Sequence, residues 1–159
     1  MRRRTESAFD LMVRECARPL ASYARSLTND RTLAEEAVQE TFIRAWRYWP
    51  TFRGESGHMT WLVTICRRVM IDLARRNRVH DELPENVVDA RDDFAPTAIN
   101  ELIRELPVAQ REVVVLCAVL GFDYESAAET LGVPVGTVRS RLSRARESLG
   151  RRLDSALAV

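Results

Sequence analysis

The chain has 159 residues, which is enough for one ordinary domain or two small ones at roughly 100 to 200 residues per domain. Its formal net charge is only +1, so the composition as a whole does not indicate a nucleic-acid partner. All 24 basic residues are arginines. The absence of lysine excludes the chemistry that depends on this side chain, including a P-loop lysine, a Schiff base and a lysine general base.

The amino-acid order excludes membrane and secreted proteins as well. The longest apolar run, residues 113–120, is far shorter than the roughly 18 residues that a membrane-spanning helix needs. Hydroxyl and acidic residues follow the three N-terminal arginines, at the place where a signal peptide requires an apolar stretch. We therefore expect a cytoplasmic protein without membrane insertion.

Neither the cysteines nor the histidines form a pattern typical of a metal or catalytic site. Cys16, Cys66 and Cys117 have no paired spacing, so we interpret them as reduced core residues. His58 and His80 match no metal-ligand spacing,. The chain also contains no constellation of carboxylates or of Cys and His that would support catalysis. We predict that the protein has no catalytic residues, no bound metal and no cofactor.

Charge is distributed unevenly along the chain. Residues 1–80 contain 15 arginines and 9 acidic residues (+6), residues 81–105 contain 2 and 8 (−6), and residues 106–159 contain 7 and 6 (+1). The acidic stretch also contains two prolines and no sustained helical period, which is typical of a linker,. We predict two small domains, 1–78 and 98–159, joined by an acidic linker at 79–97. At about 3.3 Å per residue this linker could span up to ~60 Å, so the two domains could engage one ligand at separate places.

Both predicted domains have helical periodicity and lack a hairpin signal, so the expected fold class is all-α. In the first domain, apolar residues at helical spacing predict the core face of a helix: Val38, Phe42, Ala45, Trp46 and Trp49. The opposite face carries Glu36, Glu40, Arg44 and Arg47, with Gln39 and Ile43 at its edge. An exposed isoleucine beside a glutamine indicates either a binding surface or a scattered surface apolar residue, and periodicity does not decide between the two.

A Pro- and Gly-containing loop at residues 50–59 separates this helix from a second one, predicted over 60–78,. The second helix has an apolar stripe of Leu62, Ile65, Cys66, Val69 and Leu73. Its far side presents a basic ridge of Thr64, Arg67, Arg68, Ile71, Arg75 and Arg78. Basic side chains beside a loop that can hold a base are typical of single-strand binding. A solvated charged face is the alternative interpretation of the same pattern.

The second domain begins with predicted helices at 99–106 and 107–120. The apolar run at 113–120 also fits a buried strand by β-propensity, but Pro107 suits a first helical turn and the segment is long enough for a helix. A short helix at 124–131 then ends at Gly132, and the turn at 132–134 leads into a helix at 135–149. Small Ala128 and the turn glycine predict a helix-turn-helix.

The second helix of this motif has a buried stripe and an outward face of different chemistry. The stripe is Val138, Leu142, Ala145 and Leu149, and the outward face is Gly136, Ser140, Ser143, Arg144 and Glu147, flanked by Thr137 and Arg139. A helix bearing small hydroxyls and arginines can enter the major groove, where Arg bridges guanine O6 and N7. A helical hairpin with a solvated basic face is the alternative.

Several motifs, in order, resemble the bacterial extracytoplasmic-function (ECF) sigma factors. Residues 38–46 (VQETFIRAW), 52–56 (FRGES), 60–62 (TWL) and 71–76 (IDLARR) resemble the region 2 signature of this family, and residues 134–141 (PVGTVRSR) resemble its region 4 recognition helix. The resemblance covers nearly the whole chain. It implies two helical domains, sigma region 2 and sigma region 4, and a factor that binds RNA polymerase core and directs it to promoter DNA.

The resemblance also implies a role for individual residues. Polymerase core, through its β′ clamp helices, would be bound by Glu36, Gln39, Glu40 and Ile43, and the β flap is the expected contact of region 4. Minus-ten recognition and melting would rest on Arg53, Ser56, His58, Trp61, Arg67, Arg68, Ile71 and Arg75. The minus-thirty-five element would be read by Thr137, Arg139, Ser140, Ser143 and Arg144. The acidic linker would lie in the RNA path of the polymerase, and an anti-sigma factor would regulate the chain from outside.

Two positions depart from the family pattern, and two other functions compete with it. Many members carry Asn where this chain has Arg68 and an aromatic residue where it has His58, so the resemblance does not give the base preference of this pocket. A conventional helix-turn-helix repressor or activator with an N-terminal sensing domain is the main alternative, although such a domain has no use for the arginine ridge and loop. A nucleic-acid enzyme lacks support because there is no catalytic constellation.

Overall fold

The structure, a computed structural model, describes residues 2–80 and 98–157. Within these residues the only regular elements are helices, and the chain divides into two compact units, Met1–Glu85 and Asn86–Val159. Among the described helices, none combines the length and the apolar character needed to cross a bilayer. Residues 81–97 of the predicted acidic linker lie outside the described residues, and residues 79 and 80 continue the helix before them.

The first unit is a bundle of three helices that all pack on one another. These are α1 (Arg2–Leu27), α2 (Arg31–Tyr48) and α3 (His58–His80), with a 3-10 turn at Trp49–Thr51 after α2. The largest fully buried side chains come from α1 and α3, and include Met12, Leu20, Tyr23, Leu62 and Val69. α1 was not predicted from the sequence, and α3 extends two residues beyond its predicted bounds at each end.

The core face of α2 differs from the predicted one. The structure buries Ala45, as predicted, together with Ala34, Ala37 and Thr41, whereas Trp46, which we also predicted to be in the core, is 46% exposed. Val38, Phe42 and Trp49 are only half-buried. The physical reason is close packing, because small side chains let α2 approach α1 and α3 and leave the large aromatic rings at the margin of the bundle.

The apolar stripe predicted for α3 is present. Leu62, Cys66, Val69 and Leu73 are buried and Ile65 is half-buried, while Val63 and Met70 widen the stripe. At the N-terminus of α2, Asp30 is the N-cap, and its carboxylate accepts a hydrogen bond from the Leu33 amide at 3.0 Å. This bond satisfies one of the free amides of the first turn.

The second unit contains α4 (Ala98–Arg104), α5 (Val108–Val114), α6 (Tyr124–Leu131) and α7 (Val135–Leu157). The apolar run is helical, as predicted, but it is not one α-helix to residue 120. Val115–Val119 winds as a π-helical segment, and the Leu120 amide donates to the Val115 carbonyl at 2.9 Å, five residues back. Gly121, at φ +74°, ends the segment in a conformation that favours glycine,.

Candidate nucleic-acid interface

The outward face of α2 carries the four residues expected to bind polymerase core. Glu36 and Gln39 are exposed, Glu40 is half-buried, and Ile43 is 49% exposed. Arg44 lies beside them and joins α2 to α3, because its Nε donates to Glu40 Oε1 at 2.7 Å and its Nη1 to Asp72 Oδ2 at 3.4 Å. The hydrogen bond to Glu40 is the main cause that raises the pKa of Arg44. This face therefore combines acid, amide and apolar groups, and Arg44 holds the Glu40 carboxylate within it.

A groove of about 170 Å³ runs between this face and α3. Its walls are formed by α2 residues Glu36, Gln39, Glu40, Ile43 and Arg44 and by α3 residues Asp72, Leu73 and Arg76. Asp72 also accepts from Arg75 Nη2 at 3.4 Å. One carboxylate thus contacts an arginine of α2 and an arginine of the ridge on α3. Both contacts are partly exposed, so each adds only about 0 to 1 kcal/mol to stability.

Five aromatic rings form a cluster that supports the loop between α2 and α3. The centroid of Phe52 lies 4.6 Å from that of Trp61, 5.3 Å from that of His58 and 5.6 Å from that of Trp49, on which it stacks. Phe9 of α1 closes the cluster against Trp49 at 5.3 Å. Ring pairs at these separations are favourable beyond the area they bury. The loop therefore rests on a rigid aromatic base.

Four predicted minus-ten residues belong to this loop and its supporting cluster. Arg53 and His58 are exposed, whereas Ser56 and Trp61 are half-buried. Gly54 lies between Arg53 and Ser56 in the loop. An added Cβ would meet no atom within 4 Å there, so glycine is favoured by the backbone conformation, at φ +72°, and not by a lack of space,. The arrangement presents polar groups outward from an aromatic floor.

The predicted ridge on α3 is on the outer side of the helix, opposite the buried stripe. Arg68 and Ile71 are exposed, with 52% of Ile71 accessible, and the Arg75 side chain is 78% exposed. Arg67 is half-buried. The side chain of Arg78 lies outside the described residues. The ridge is contiguous with the loop because α3 begins at His58.

The helix-turn-helix of the second unit is fixed by its caps. Asp123 is the N-cap of α6, and its carboxylate accepts from the Ser126 amide at 2.7 Å, which lowers the pKa of Asp123. Gly132 ends α6 at φ +65°, and the Val133 amide donates to the Ala128 carbonyl at 3.1 Å. A left-handed residue with this bond is the common way to end a helix in a sharp turn. Ala128 is buried, as expected for a small residue where two helices cross closely,.

The outward face of α7 matches the one predicted. Arg139, Ser140, Ser143 and Arg144 are exposed and Thr137 is half-buried, while Val138, Leu142 and Ala145 are buried and Leu149 is half-buried. The Ser140 hydroxyl donates to the Thr137 carbonyl at 3.1 Å. The guanidinium carbon of Arg139 lies 5.9 Å from the centroid of the Tyr124 ring.

Two residues of these surfaces, Asp72 and Tyr124, were not predicted from the sequence. The spacing of Glu40 and Arg44 is a signal for a helical ion pair, but the contact of Arg44 with Asp72 depends on how α2 and α3 pack. The contact of Tyr124 with Arg139 likewise depends on the crossing of α6 and α7. No signal in a single sequence reports such crossings.

The thiols and potential metal ligands form no site in the described residues. Burial is the main cause that raises the pKa of all three thiols, and it raises that of Cys66 to about 11. No group of three or more His, Cys, Asp or Glu side chains in residues 2–80 and 98–157 is arranged to hold a metal ion. The exposed chemistry is thus carried by arginine, hydroxyl, acid and aromatic groups.

Comparison with solved structures shows the same architecture. The sigma factor RpoE from Bartonella quintana, solved in complex with the anti-sigma factor NepR, matches with a TM-score of 0.79 and 30% identity, over 92% of this chain and 97% of that chain. CnrH, solved in complex with the cytosolic domain of CnrY, matches with a TM-score of 0.69 and 29% identity, over 94% and 90%.

Comparison of sequences identifies the family. Residues 12–79 match the family model for sigma-70 region 2, and residues 97–149 match that for sigma-70 region 4. The ECF RNA polymerase sigma factor SigC of Mycobacterium tuberculosis is 38% identical over 125 residues, which are 73% of this chain and 68% of SigC. The RNA polymerase sigma-H factor of Pseudomonas aeruginosa is 31% identical over 99% of this chain and 92% of its own length. With both regions present in order and relatives of this similarity, the chain belongs to the sigma-70 family of bacterial RNA polymerase sigma factors, in its ECF group.

Proposed function

We propose that this sigma factor binds RNA polymerase core and directs it to promoters in the bacterial cytoplasm, without covalent chemistry of its own. The observation that carries the proposal is the presence of three outward surfaces of different chemistry in one chain. They are the polar and apolar face of α2, the aromatic-backed loop with the α3 ridge, and the arginine and serine face of α7. We assign residues 1–78 to region 2, 79–97 to an acidic linker and 98–159 to region 4.

Core binding is assigned to α2. Ile43 supplies apolar area, and Glu36, Gln39 and Glu40 supply polar groups around it, which is the usual composition of a protein interface,. The partner would be the β′ clamp helices, with the β flap as partner of region 4. Since Arg44 holds Glu40 in place at 2.7 Å, the acidic group is positioned before the polymerase arrives, which lowers the entropic cost of docking.

The minus-ten element is assigned to the loop and ridge of region 2. A base taken out of the stack needs a polar pocket with aromatic surface beside it, and Arg53, Ser56 and His58 lie in or next to a loop supported by aromatic rings. The strand leaving the pocket would follow the ridge residues Arg67, Arg68, Ile71, Arg75 and the nearby Trp61. Arginine holds phosphates, and Ile71 offers apolar contact for a base or sugar.

The minus-thirty-five element is assigned to the outward face of α7. Arg139 and Arg144 present guanidinium groups that can bridge guanine O6 and N7 in the major groove, while Thr137, Ser140 and Ser143 can bond bases or phosphates. The exposed side chains lie opposite the buried stripe. The helix can therefore enter a groove without disturbing the core of its unit.

An anti-sigma factor is proposed as the regulator. RpoE and CnrH were each solved with a protein partner, the anti-sigma factor NepR and the cytosolic domain of CnrY. By likeness to RpoE, we propose that an anti-sigma factor holds this chain inactive, and that it does so by covering the surfaces of α2 and α7. We also propose that the acidic segment at 79–97 occupies the RNA path of the polymerase, where its negative charge resembles that of nucleic acid.

Reconstitution with RNA polymerase core tests the proposal. The purified chain should be retained by immobilised core, and the holoenzyme should give run-off transcripts from promoters recovered by sequencing transcripts after overexpression. Ile43→Glu should reduce retention, because it places a charge in the docking face. Leu11→Glu, an equally apolar and 58% exposed position on α1, is the matched control and should bind core normally.

The conventional repressor or activator is the alternative outcome of the same experiment. Such a protein would protect an operator by itself and would support no initiation. Specific duplex protection without polymerase, combined with the absence of transcripts, would therefore replace the sigma function with that of a helix-turn-helix regulator.

A further inference from the structure

The recognition helix carries an arginine whose guanidinium faces an aromatic ring of the preceding helix. The guanidinium carbon of Arg139 on α7 is 5.9 Å from the ring centroid of Tyr124. Tyr124 is the first residue of α6, directly after the Asp123 cap. It is half-buried, whereas Arg139 is exposed. Among the described residues, no carboxylate lies within ion-pair distance of Arg139, and the Tyr124 ring is the group over which its guanidinium lies.

The position of the ring is itself fixed by the fold. Asp123 bonds the Ser126 amide at 2.7 Å and holds the first turn of α6. At the other end of α6, Gly132 sets the turn into α7, and the Thr137 and Val138 amides bond the Pro134 carbonyl at 2.9 and 3.3 Å. The two helices therefore present Tyr124 and Arg139 to each other through short, capped connections.

A ring in this position is compatible with base recognition. The donors of a guanidinium lie in its plane, so a guanidinium that stacks on the face of an aromatic ring keeps these donors directed outward. Arg139 can thus stack on Tyr124 and still direct its donors to guanine O6 and N7. A free arginine side chain samples many rotamers, and fixing it on binding is costly. A ring that restricts the rotamers in advance lowers this cost.

We propose that Tyr124 is a positioning residue that sets Arg139 for reading the minus-thirty-five element, through its ring and not through its hydroxyl. This inference rests on the proposed function of α7. It assigns to a residue of the first helix of the motif a share in sequence discrimination, although that residue need not contact a base. The expected contribution is about two- to fivefold in affinity, the range of an exposed cation–π contact.

The test uses holoenzyme reconstituted from the full chain and RNA polymerase core. Wild-type holoenzyme selects promoter fragments randomised over the upstream element, and the enriched sequence becomes the probe for affinity measurements. Tyr124→Leu should bind this probe about two- to fivefold more weakly and lose discrimination at the same base position as Arg139→Ala. Tyr124→Phe should retain wild-type affinity and discrimination, because the ring is preserved.

A double-mutant cycle separates positioning from a general structural effect. In the Arg139→Ala background Tyr124→Leu should have no further effect, whereas in the background of Arg151→Ala, another exposed arginine of α7, its effect should be undiminished. If Tyr124→Phe is as defective as Tyr124→Leu, or if the Tyr124 and Arg139 effects are additive, the proposal is wrong. If wild-type holoenzyme enriches no upstream sequence at all, the assignment of α7 to the minus-thirty-five element fails, and this inference fails with it.

Discussion

Arg68 is an exposed arginine of the first unit and Arg144 an exposed arginine of the second. Their proposed roles predict different defects in transcription initiation when each is replaced by alanine. Arg144→Ala should weaken binding of holoenzyme to the upstream duplex, by about 1 to 3 kcal/mol if it makes a bidentate guanine contact. Arg68→Ala should leave upstream binding intact and reduce strand opening. Permanganate reactivity of thymines in the opened strand reports the second defect, and footprinting of the upstream element reports the first.

The matched control for these two variants is Arg146→Ala. Arg146 is exposed on α7, but it lies about 200° around the helix from Arg144 and so faces away from the proposed groove contact. This variant should behave as wild type in both measurements. Identical duplex-binding defects for Arg68→Ala and Arg144→Ala would contradict the separation of roles.

The burial of the Cys66 thiol predicts a specific loss of stability at alkaline pH. The side chain is fully buried and hydrogen-bonded with Thr41, and burial raises its pKa from 9.0 to about 11. The thiol holds its proton more tightly in the folded state than in the unfolded state. The free energy of unfolding is therefore unaffected by the titration of this group below pH 9, and it falls as the pH rises from 9 towards 11, because the unfolded state ionises first,. At about pH 10 the loss should be on the order of 1 kcal/mol.

Urea unfolding followed by tryptophan fluorescence measures this loss, because Trp46, Trp49 and Trp61 all lie in the first unit. Cys66→Ala removes the titrating group and should flatten the pH dependence between about pH 8 and pH 10. Other titrations are common to both proteins and cancel in the comparison. Equal losses in wild type and Cys66→Ala would show that Cys66 does not cause the change.

At the scale of helices, the sequence predicts α6, the start of α7 and the buried stripe of α3 well, because each has strong local signals, but α7 continues to Leu157, eight residues beyond the predicted end at residue 149. Gly132 marks the end of α6, and the large apolar residues of α3 repeat at helical spacing. The predicted core face of α2 was right at Ala45 but wrong at Trp46, because periodicity favours large apolar side chains, whereas the packed interface also uses Ala34 and Ala37.

Other features of these elements depend on tertiary structure. No feature of the amino-acid composition distinguishes the π-helical segment Val115–Val119, since the same residues fit an α-helix or a buried strand,. The aromatic cluster joins α1, the 3-10 turn and the start of α3, so its existence depends on how the bundle packs. The candidate surfaces were predictable as faces of helices, but not the contacts that fix Arg44 and Arg139.

The turn of the helix-turn-helix gives a prediction about the stability of α6 and α7. Gly132→Ala should destabilise the second unit by about 1 kcal/mol, because φ is +65° and an L side chain is strained there, although no atom lies within 4 Å of the added Cβ,. Gly150→Ala is the matched control. It lies within α7, has the same free space and no positive φ, and should stabilise the helix by up to about 1 kcal/mol,.

Amide hydrogen exchange of α6 and α7 in the two variants reports these opposite changes directly. Faster exchange in Gly132→Ala and slower exchange in Gly150→Ala are expected. Equal protection in Gly132→Ala and wild type would mean that the turn tolerates a side chain, and the backbone argument for this glycine would be wrong.

For the whole molecule, the net charge of +1 is the sum of segments that differ in sign. Residues 1–80 carry +6, which suits a surface that holds DNA strands, and residues 81–105 carry −6. A sigma factor must find promoters as part of the holoenzyme, and strong non-specific binding of the free chain to DNA would compete with this. We infer that the negative charge of residues 81–105 limits such binding, because it offsets the positive electrostatic potential of residues 1–80.

Neutralising the acidic segment tests this inference. Replacing its six acids between residues 81 and 93 by Asn or Gln changes the net charge from +1 to +7, so the free chain should bind random duplex more tightly at about 50 mM salt and lose most of the gain by about 200 mM. A chain with the same acids in shuffled order keeps the charge and should bind as wild type. Fluorescence anisotropy of a labelled duplex measures all three proteins. Unchanged binding by the neutralised chain at low salt would mean that the acidic segment does not offset the basic one, and its charge would then have to serve the polymerase complex alone.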